Sequence, residues 1–281
     1  MQVLSASLTD PGLRRPLNED ALVARPGLGL FAVFDGMGGY AAGEVASRVA
    51  AGALEDFIQH TDGVTADFAW PFEYRPERGL DGNRLACGLL LANREIRLRM
   101  EDEPALRGMA TTAVCLLLGT RDLALGAGGQ PPSRLAPSAQ PLAPSIPALV
   151  AHVGDSRAYL WRGGALDQIT RDHSWVEEQV ALGVLGEDEA RVHPLRNLVT
   201  RALAGAEEPR VELTPVSLEP GDRAILCSDG LTSPLTNEAV AEILARTPPG
   251  RPEEACRALV EAAIAAGGPD NITVVVVEVA C

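Results

Sequence analysis

The chain has 281 residues, 46% of them apolar, and its 38 acidic against 24 basic residues give a formal net charge of −14. A charge of that sign and size argues against nucleic acid and anionic membrane surfaces as partners. The chain contains no lysine. That excludes a Walker phosphate-binding loop, a protein-kinase site and Schiff-base chemistry, because each depends on a lysine amine.

The first half of the chain combines short apolar runs with longer helical patterns. Strands are predicted over Val3–Leu8, Ala21–Ala24, Leu28–Phe34 and Thr111–Leu118. Apolar residues recur at helical spacing in Glu44–Ile58 and Asn83–Met100, so both segments are predicted to be helices.

The second half predicts more strands, a loop-rich stretch and two further helices. The predicted strands are Ala148–Val153, Ala158–Trp161, Val211–Ser217, Arg223–Cys227 and Ile272–Val279. Helices are predicted near Asn237–Ala245 and Glu253–Ala266, and Asp172–Asn197 is predicted to form short helices and loop. Because the strands come in groups and do not alternate strictly with helices, the pattern favours an α+β domain with antiparallel sheets and helices packed outside.

One segment differs in composition from the rest. Residues 126–147, GAGGQPPSRLAPSAQPLAPSIP, are rich in Gly, Pro, Ser and Ala. Such a stretch cannot bury enough apolar surface to offset the entropy of ordering it. We therefore predict a long hairpin loop inserted between two strands.

The pattern of cysteines and the length of the apolar runs predict where in the cell the protein is found. Five cysteines are scattered along the chain without any C-x-x-C pair, which argues against a disulfide framework and a zinc knuckle. No signal peptide opens the sequence, and no apolar run reaches the roughly 18 residues that a membrane span needs. We therefore expect a reduced, cytoplasmic protein without a membrane anchor.

Acidic residues stand at the ends of several predicted strands, often beside glycine. They are Glu19, Asp20, Asp35, Asp155, Asp229 and Asp270. A single Asp–Gly pair is usually a turn former. Several such acids at strand ends of one sandwich can instead meet at one rim.

Acids that meet need a counter-charge. Two carboxylates about 4 Å apart repel each other by roughly 4 kcal/mol at an effective dielectric constant of 20. A cluster must therefore hold protons or cations, and oxygen ligands without nearby His or Cys favour Mg²⁺ or Mn²⁺ over zinc.

Six short motifs occur in order along nearly the whole chain. They are R-x-x-N-E-D (15–20), D-G-M-G-G (35–39), M-A-T-T-A (109–113), H-V-G-D-S-R (152–157), S-D-G-L (228–231) and D-N-I-T (270–273). Together they closely resemble the bacterial metal-dependent serine/threonine protein phosphatases of type 2C, the PPM family.

The resemblance implies a fold and a metal centre. It implies a single catalytic domain over residues 1–281, with a central antiparallel β-sandwich flanked by α-helices on both sides in four layers. Two Mn²⁺ or Mg²⁺ ions are expected at one end of the sandwich. Asp35 would bridge both ions, Gly36 would add its carbonyl oxygen, and Asp229 and Asp270 would hold the first ion.

The resemblance also implies roles around the metals. Glu19 and Asp20 would orient metal-bound waters, and Arg15 would grip the substrate phosphate with its planar fork. Asp155 matches a position that recruits a third, weaker ion in bacterial members. Residues 172–197, here called the flap segment, would lie beside the site.

The implied reaction is hydrolysis of phosphoserine and phosphothreonine on proteins by a metal-activated water, without a phospho-enzyme intermediate. Some members carry a histidine in the D-G-x-G-G motif that is thought to protonate the leaving group. This chain has Met37 there, which cannot donate a proton, so the general acid stays open between a metal-bound water and another group.

Two alternatives were weighed against this interpretation. Cys115 and Arg121 fit the C-x5-R spacing of a cysteine phosphatase, but the residues between them read as a strand and do not form a glycine-rich phosphate cradle. A pseudophosphatase that binds phosphoproteins without turnover should have lost a metal ligand, and none of the matched acids is missing.

The expected partners are phosphoserine and phosphothreonine proteins. The family further implies that the protein counteracts a bacterial serine/threonine kinase. Nothing in the sequence requires more than a monomer.

Overall fold

The computed structural model describes residues 1–38, 42–119, 145–205 and 207–280. Most of the predicted insertion at 126–147 lies outside these residues, as does Gly39 of the D-G-M-G-G motif. The last two residues of the predicted insertion, Ile146 and Pro147, belong to a strand that begins before the predicted Ala148.

Most strands of the described residues lie close to their predicted positions, and two short ones, Gly36–Met37 and Ala165–Gln168, were not predicted. The strands are β1 (Val3–Asp10), β2 (Ala21–Arg25), β3 (Leu30–Phe34), β4 (Gly36–Met37), β5 (Ala110–Thr111), β6 (Ala113–Leu118), β7 (Ile146–Val153), β8 (Arg157–Arg162), β9 (Ala165–Gln168), β10 (Glu212–Leu218), β11 (Arg223–Cys227) and β12 (Ile272–Val279).

The α-helices divide into long ones that cover the sheets and short ones near the flap segment. They are α1 (Ala42–His60), α2 (Gly79–Asp102), α3 (Trp175–Ala181), α4 (Glu187–Val192), α5 (Asp229–Thr232), α6 (Asn237–Arg246) and α7 (Pro252–Ala265). In the described part of the chain, none of these helices has the length and hydropathy needed to cross a membrane.

Two five-stranded antiparallel sheets face each other. One has the order β1-β12-β11-β8-β9 and the other β10-β7-β6-β3-β2, and β4 and β5 form a small separate pair. The apolar run ITVVVVEV in β12 contributes side chains to two hydrophobic cores, one between the sheets and one under the helices. Val275 and Val277 point between the sheets, while Val274 and Val276 pack against α6 and α7, because successive side chains of a strand point to opposite faces.

The helices complete a four-layer architecture. On the other sheet, Phe31 and Val33 fill the space between the sheets, whereas Leu30 and Phe34 pack under α1 and α2. The order helix, sheet, sheet, helix confirms the predicted α+β sandwich.

The register of the strands brings several strand ends to a common rim. Phe34 at the end of β3 lies opposite Ala21 at the start of β2, and Val153 at the end of β7 lies opposite Ala113 at the start of β6. In the other sheet, Cys227 at the end of β11 faces Val274 near the start of β12. Residues that directly follow or precede these positions are therefore held close together.

The sequence predictions failed where the apolar pattern is weak. Leu28 belongs to a 3-10 turn, Pro26–Leu28, and β3 begins only at Leu30 after Gly29, whose φ is 65°. Strand β9 was missed because all four residues of this edge strand are only partly buried. The one-turn helix α5 was missed because four residues, Asp229–Thr232, are too few to show a helical period.

A buried ion pair joins two strands of the first sheet to the end of α6. The side chains of Arg223 and Glu278 are 1% and 3% exposed, and Arg223 Nε lies 3.1 Å from Glu278 Oε2. Arg223 also donates hydrogen bonds to the carbonyl oxygens of Leu244 and Pro248. The pair therefore fixes where helix α6 ends against the sheet.

We predict that Arg223→Met lowers the free energy of unfolding by about 3 to 5 kcal/mol, because Glu278 would remain buried without its partner. Urea denaturation followed by circular dichroism measures the change. Arg246→Met, which removes an exposed pair with Glu242, is the matched control and should cost less than about 1 kcal/mol. Equal losses in both variants would contradict this account of the buried pair.

Candidate metal centre

The predicted acids meet at the rim of the sandwich. Asp35 follows β3 directly, Asp155 follows β7 by one glycine, and Asp229 begins α5 just after β11. Asp20 and Asp270 stand just before β2 and β12. Each of these acids lies within two residues of a strand end, so the sandwich holds its backbone in place from one side.

The pKa of Asp35 reveals how close the acids are. It is raised well above its ordinary value, first by removal of the carboxyl from water and then by the negative charges of four other acids. Those four acids are Asp20, Asp229, Asp155 and Asp270. Asp35 therefore lies at the centre of the cluster.

The other acids of the cluster are perturbed in the same direction. Burial raises the pKa of Asp20 and of Asp155 to about 7, and the charge of Asp229 adds to both shifts. Burial and the charge of Asp270 raise the pKa of Asp229 to about 6. Without a cation, such a cluster holds protons near neutral pH, because removal from water and the neighbouring like charges both oppose ionisation.

One buried oxygen in the cluster has an incomplete environment. Asp20 Oδ2 accepts hydrogen bonds from Ser228 Oγ at 2.8 Å and Thr273 Oγ1 at 2.6 Å. Asp20 Oδ1 is buried and has no hydrogen-bond partner among the described residues. A buried carboxylate oxygen without a partner is costly, so this atom fits a bound cation or a water held by one. The donor set, all carboxylate and carbonyl oxygen, suits Mg²⁺ or Mn²⁺.

The glycines beside the acids allow close backbone contacts. A side chain at Gly36 would overlap the carbonyl oxygens of Glu19 and Gly43, and one at Gly230 would overlap the carbonyl oxygen of Asn271. The family resemblance gave only Gly36 a role, as a carbonyl ligand. In the structure both glycines let neighbouring backbone segments of the rim pack against each other.

Two threonines of the M-A-T-T-A motif hold Asp35, a role that the sequence analysis did not assign. Thr111 Oγ1 and the Thr112 N–H both donate to the carbonyl oxygen of Asp35 at 2.9 Å. The Asp35 N–H in turn donates to Thr112 Oγ1 at 3.2 Å. Thr112 Oγ1 also lies 2.6 Å from Ser156 Oγ, so the loop that carries Asp155 is joined to the Asp35 backbone.

Asn271 was also missed as a functional residue. Its Oδ1 accepts the Glu19 N–H at 2.8 Å, and its Nδ2 donates to the carbonyl oxygens of Pro11 and Leu17. Asn271 therefore ties the segment that carries Arg15, Glu19 and Asp20 to the start of β12. Asn271 is the second residue of the D-N-I-T motif, but the motif was used only to assign a role to Asp270.

Arg15 lies at the edge of the cluster. Its Nη2 donates to Asp270 Oδ2 at 2.7 Å, with the two side chains 49% and 30% exposed. That hydrogen bond is the largest cause of the raised Arg15 pKa. A pair this exposed is worth less than about 1 kcal/mol, so Arg15 can exchange Asp270 for another anion.

A cleft leads away from the acids toward the flap segment. It has a volume of about 810 Å³ and is bounded by Asp155 and Asp229 at one end. Residues of helices α3 and α4 of the flap segment line it, together with residues Thr232–Asn237. Residues of the flap segment therefore line the same cleft as Asp155 and Asp229.

A second group of potential ligands does not fit a metal. Ligand atoms of His152, His173 and Glu212 lie within 4.8 Å of one another. However, His173 Nδ1 accepts the Gly154 N–H at 3.0 Å, so the neutral ring carries its proton on Nε2, the atom that faces Glu212. The two imidazoles are stacked at 4.5 Å with 14° between their planes, so their in-plane lone pairs cannot converge on one ion.

The cysteine alternative is wrong for a physical reason. Cys115 lies in β6 with no exposed surface. Burial raises the pKa of its thiol far above the ordinary value, whereas a nucleophilic cysteine needs a lowered one. Arg121 lies outside the described residues.

Three comparisons relate the chain to known proteins. A family model described as stage II sporulation protein E matches residues 148–280. The serine/threonine protein phosphatase PstP of Mycobacterium tuberculosis is 38% identical over 277 residues, which are 98% of this chain but only 44% of that protein. The protein phosphatase PhpP of Streptococcus pneumoniae is 32% identical over 275 residues, 96% of this chain and 95% of that protein.

A solved structure is similar to this chain over its whole length, with a comparable sequence identity. The crystal structure of the catalytic domain of PstP in complex with two manganese ions is 34% identical and covers 99% of both chains, with a TM-score of 0.73. The likeness therefore extends over the whole sandwich and is not confined to one motif.

The acid cluster predicts a pH-dependent effect of Mn²⁺ on stability. Carboxyls with a raised pKa in the folded state stabilise the metal-free fold at acidic pH, and this contribution is lost as the pH rises through about 6 to 7. Mn²⁺ competes with those protons, so its stabilisation should be larger at pH 8 than at pH 5. At 100 times its Kd the ion should add about 2.7 kcal/mol.

Thermal melts with and without Mn²⁺ at both pH values measure this effect. Asp35→Ala should remove most of the rise in Tm, whereas Asp62→Ala, an exposed acid outside the cluster, should leave it intact. A rise in Tm that is equal at both pH values, or that survives in Asp35→Ala, would show that the ion binds elsewhere.

Proposed function

This chain belongs to the PPM family of metal-dependent serine/threonine protein phosphatases, and from that membership we propose that it hydrolyses phosphoserine and phosphothreonine esters on proteins. The observation that carries the proposal is the group of mutually perturbed acids at the rim of the sandwich, beside Arg15 and an open cleft. Such a site combines cation ligands with a phosphate-binding guanidinium.

The acids hold two divalent cations in this proposal, Mn²⁺ or Mg²⁺. Asp35 would be shared by both ions, which is supported by the four neighbouring acids whose charges raise its pKa after burial does, and Gly36 would add its carbonyl oxygen. Asp229 and Asp270 would complete the ligands of the first ion. When bound, the ions supply Lewis-acid charge to the phosphoryl oxygens and lower the pKa of water toward neutrality.

Glu19 and Asp20 orient water around the ions. The unpartnered Asp20 Oδ1 supports this role, since it lies buried with no other polar atom to satisfy it among the described residues. Ser228 and Thr273 hold the opposite oxygen and so fix the direction in which Oδ1 points.

Arg15 binds the substrate phosphate. The present partner of Arg15 is Asp270, at 2.7 Å, and a cation bound to Asp270 would weaken that pair. The guanidinium is half-exposed and free to turn toward a phosphate, whose oxygens match the planar fork of arginine. Arg15 therefore orients the ester and offsets charge that develops on its oxygens.

Protonation of the leaving alkoxide falls to a group other than Met37. That residue lies in the two-residue strand β4, paired with Ala110, and has no proton to give. Asp155 lines the cleft and would be the ligand of a weaker third ion. An ion held there would supply a bound water as the proton source for the leaving group.

The partners and the compartment follow from the same activity. We infer that the substrates are phosphoproteins made by a serine/threonine kinase, which this monomeric phosphatase opposes. We place the reaction in the cytoplasm. The four free cysteines of the described chain, all buried, support a reducing compartment.

The alternative of a binding-only pseudophosphatase is disfavoured by the site. All the acids that the family motifs require are present and lie together. A protein that had lost turnover should show at least one of them replaced.

Asp229→Asn tests the catalytic role of the cluster. Losing one carboxylate ligand should lower kcat on p-nitrophenyl phosphate with Mn²⁺ by about a thousandfold, equivalent to about 4 kcal/mol of transition-state stabilisation. Asp62→Asn is the matched surface control and should keep full activity. Turnover that persists in excess EDTA, or in Asp229→Asn, would rule out the metal mechanism.

Asp155→Ala tests the leaving-group role. It should lower kcat more than it affects KM, because it removes an interaction made in the transition state. The loss should be larger on a phosphoserine peptide than on p-nitrophenyl phosphate, whose leaving group needs little protonation. Steady-state kinetics on both substrates measures the difference, and equal losses would argue against the role.

A further inference from the structure

The chain enters the flap segment at residues 173–175 and leaves it at residues 198–200, and these two stretches are here called its roots. The roots are hydrogen-bonded to each other. The Trp175 N–H at the start of α3 donates to the Leu198 carbonyl at 2.9 Å, and the Thr200 N–H donates to the His173 carbonyl at 2.8 Å. The chain thus leaves the sandwich and returns to it at one place. A residue that holds the backbone at this junction therefore holds both roots in position.

His173 connects the roots to the loop that carries Asp155. The His173 N–H donates to the Gly154 carbonyl at 3.0 Å, and the Gly154 N–H donates back to His173 Nδ1 at 3.0 Å. The imidazole is only 5% exposed. Gly154 directly precedes Asp155, so this reciprocal pair of bonds sets the backbone from which the Asp155 side chain extends.

Gly154 has little freedom to move away. Its φ is 113°, a conformation that favours glycine, and a side chain there would overlap Thr112. Thr112 is the residue that exchanges hydrogen bonds with the Asp35 backbone. Asp35, Asp155 and the roots of the flap segment are therefore joined through one continuous set of contacts.

The far side of the imidazole faces an acid. His173 Nε2 lies 3.2 Å from Glu212 Oε1 but forms no hydrogen bond with a described residue, and the same oxygen accepts from Arg201 Nη1 at 2.8 Å. The ring stacks on His152, which lies opposite Glu212 in the β7–β10 pair. Because Arg201 follows the flap segment, Glu212 places the returning root beside the same histidine.

We propose that His173 is a positioning residue that holds Asp155 and both roots of the flap segment as one unit. Its effect on turnover rests on the proposed phosphatase function, because it acts through Asp155. Its effect on the order of the flap segment does not depend on that function. The two consequences can therefore be measured separately.

Two substitutions separate the contacts of the imidazole. In His173→Asn the amide oxygen can take the place of Nδ1 and still accept the Gly154 N–H, but nothing reaches Glu212. In His173→Gln the longer amide can reach Glu212, but the Gly154 N–H loses its acceptor. His60→Gln, on the exposed end of α1, is the matched control.

Hydrogen exchange with mass spectrometry, in the presence of Mn²⁺, reports on the flap segment directly. We expect exchange of peptides covering 154–156 and 174–200 to rise about tenfold in His173→Gln, the factor that matches loss of one buried hydrogen bond. His173→Asn should stay within about twofold of wild type. In His173→Gln, kcat should fall about tenfold with KM little changed, and His173→Asn should restore most of it.

A third variant covers the case in which the histidine variants do not fold. Glu212 is 37% exposed, so Glu212→Ala should be tolerated and should raise exchange of peptides covering 198–203 by about threefold, as expected for a partly exposed pair. Unchanged exchange there would overturn the proposal.

Three further results for the His173 variants distinguish a positioning role from other roles. Equal exchange in His173→Asn and His173→Gln would show that the imidazole only fills space, and would overturn the proposal. Normal exchange together with lost turnover in His173→Gln would do the same. If wild-type protein lacks phosphatase activity but His173→Gln loosens the flap segment, the proposed function fails and the positioning role stands.

Discussion

The burial of mutually repelling carboxylates at one rim of the sandwich is the constraint on which the rest of this structure depends. A strand can hold a charged group where an isolated loop would let it move away, and five acids here are held at the ends of five strands. The hydrophobic interior of each sheet supplies the rigidity. The rim stores an unfavourable electrostatic energy that a cation relieves, so stability of the fold and binding of the ion are linked.

The acids are supported by a layer of neutral polar residues. Thr111 and Thr112 bond to the Asp35 backbone, Ser228 and Thr273 bond to the Asp20 side chain, and Asn271 bonds to the segment before β2. None of these residues adds charge to the cluster. They fix the direction of each carboxylate at little electrostatic cost, which is what a site needs if its geometry is to exist before the ligand arrives.

Most strands and the acids of the cluster could be predicted from the sequence, but the hydrogen-bond partners of the acids could not. The valines of β12 and the apolar runs of β3 and β11 identify buried strands, because burial on both faces leaves a continuous apolar pattern. The acids were found because each stands at the end of a predicted strand, and Asp35, Asp155 and Asp229 also have a glycine neighbour. The partners of the acids were not found, since Thr112 and Ser156 are 44 residues apart and only the folded register brings them together. The edge strand β9 was missed because edge strands bury too little to leave a pattern.

The central claim is that Asp35, Asp229 and Asp270 hold divalent cations that the reaction requires. The most direct test is a crystal structure with Mn²⁺, using anomalous scattering at the manganese edge to locate the ions. The account predicts peaks within about 2.0 to 2.6 Å of oxygens of Asp35 and Asp229, with Arg15 released from Asp270. A peak between His152, His173 and Glu212, with no ion near Asp35, would contradict it.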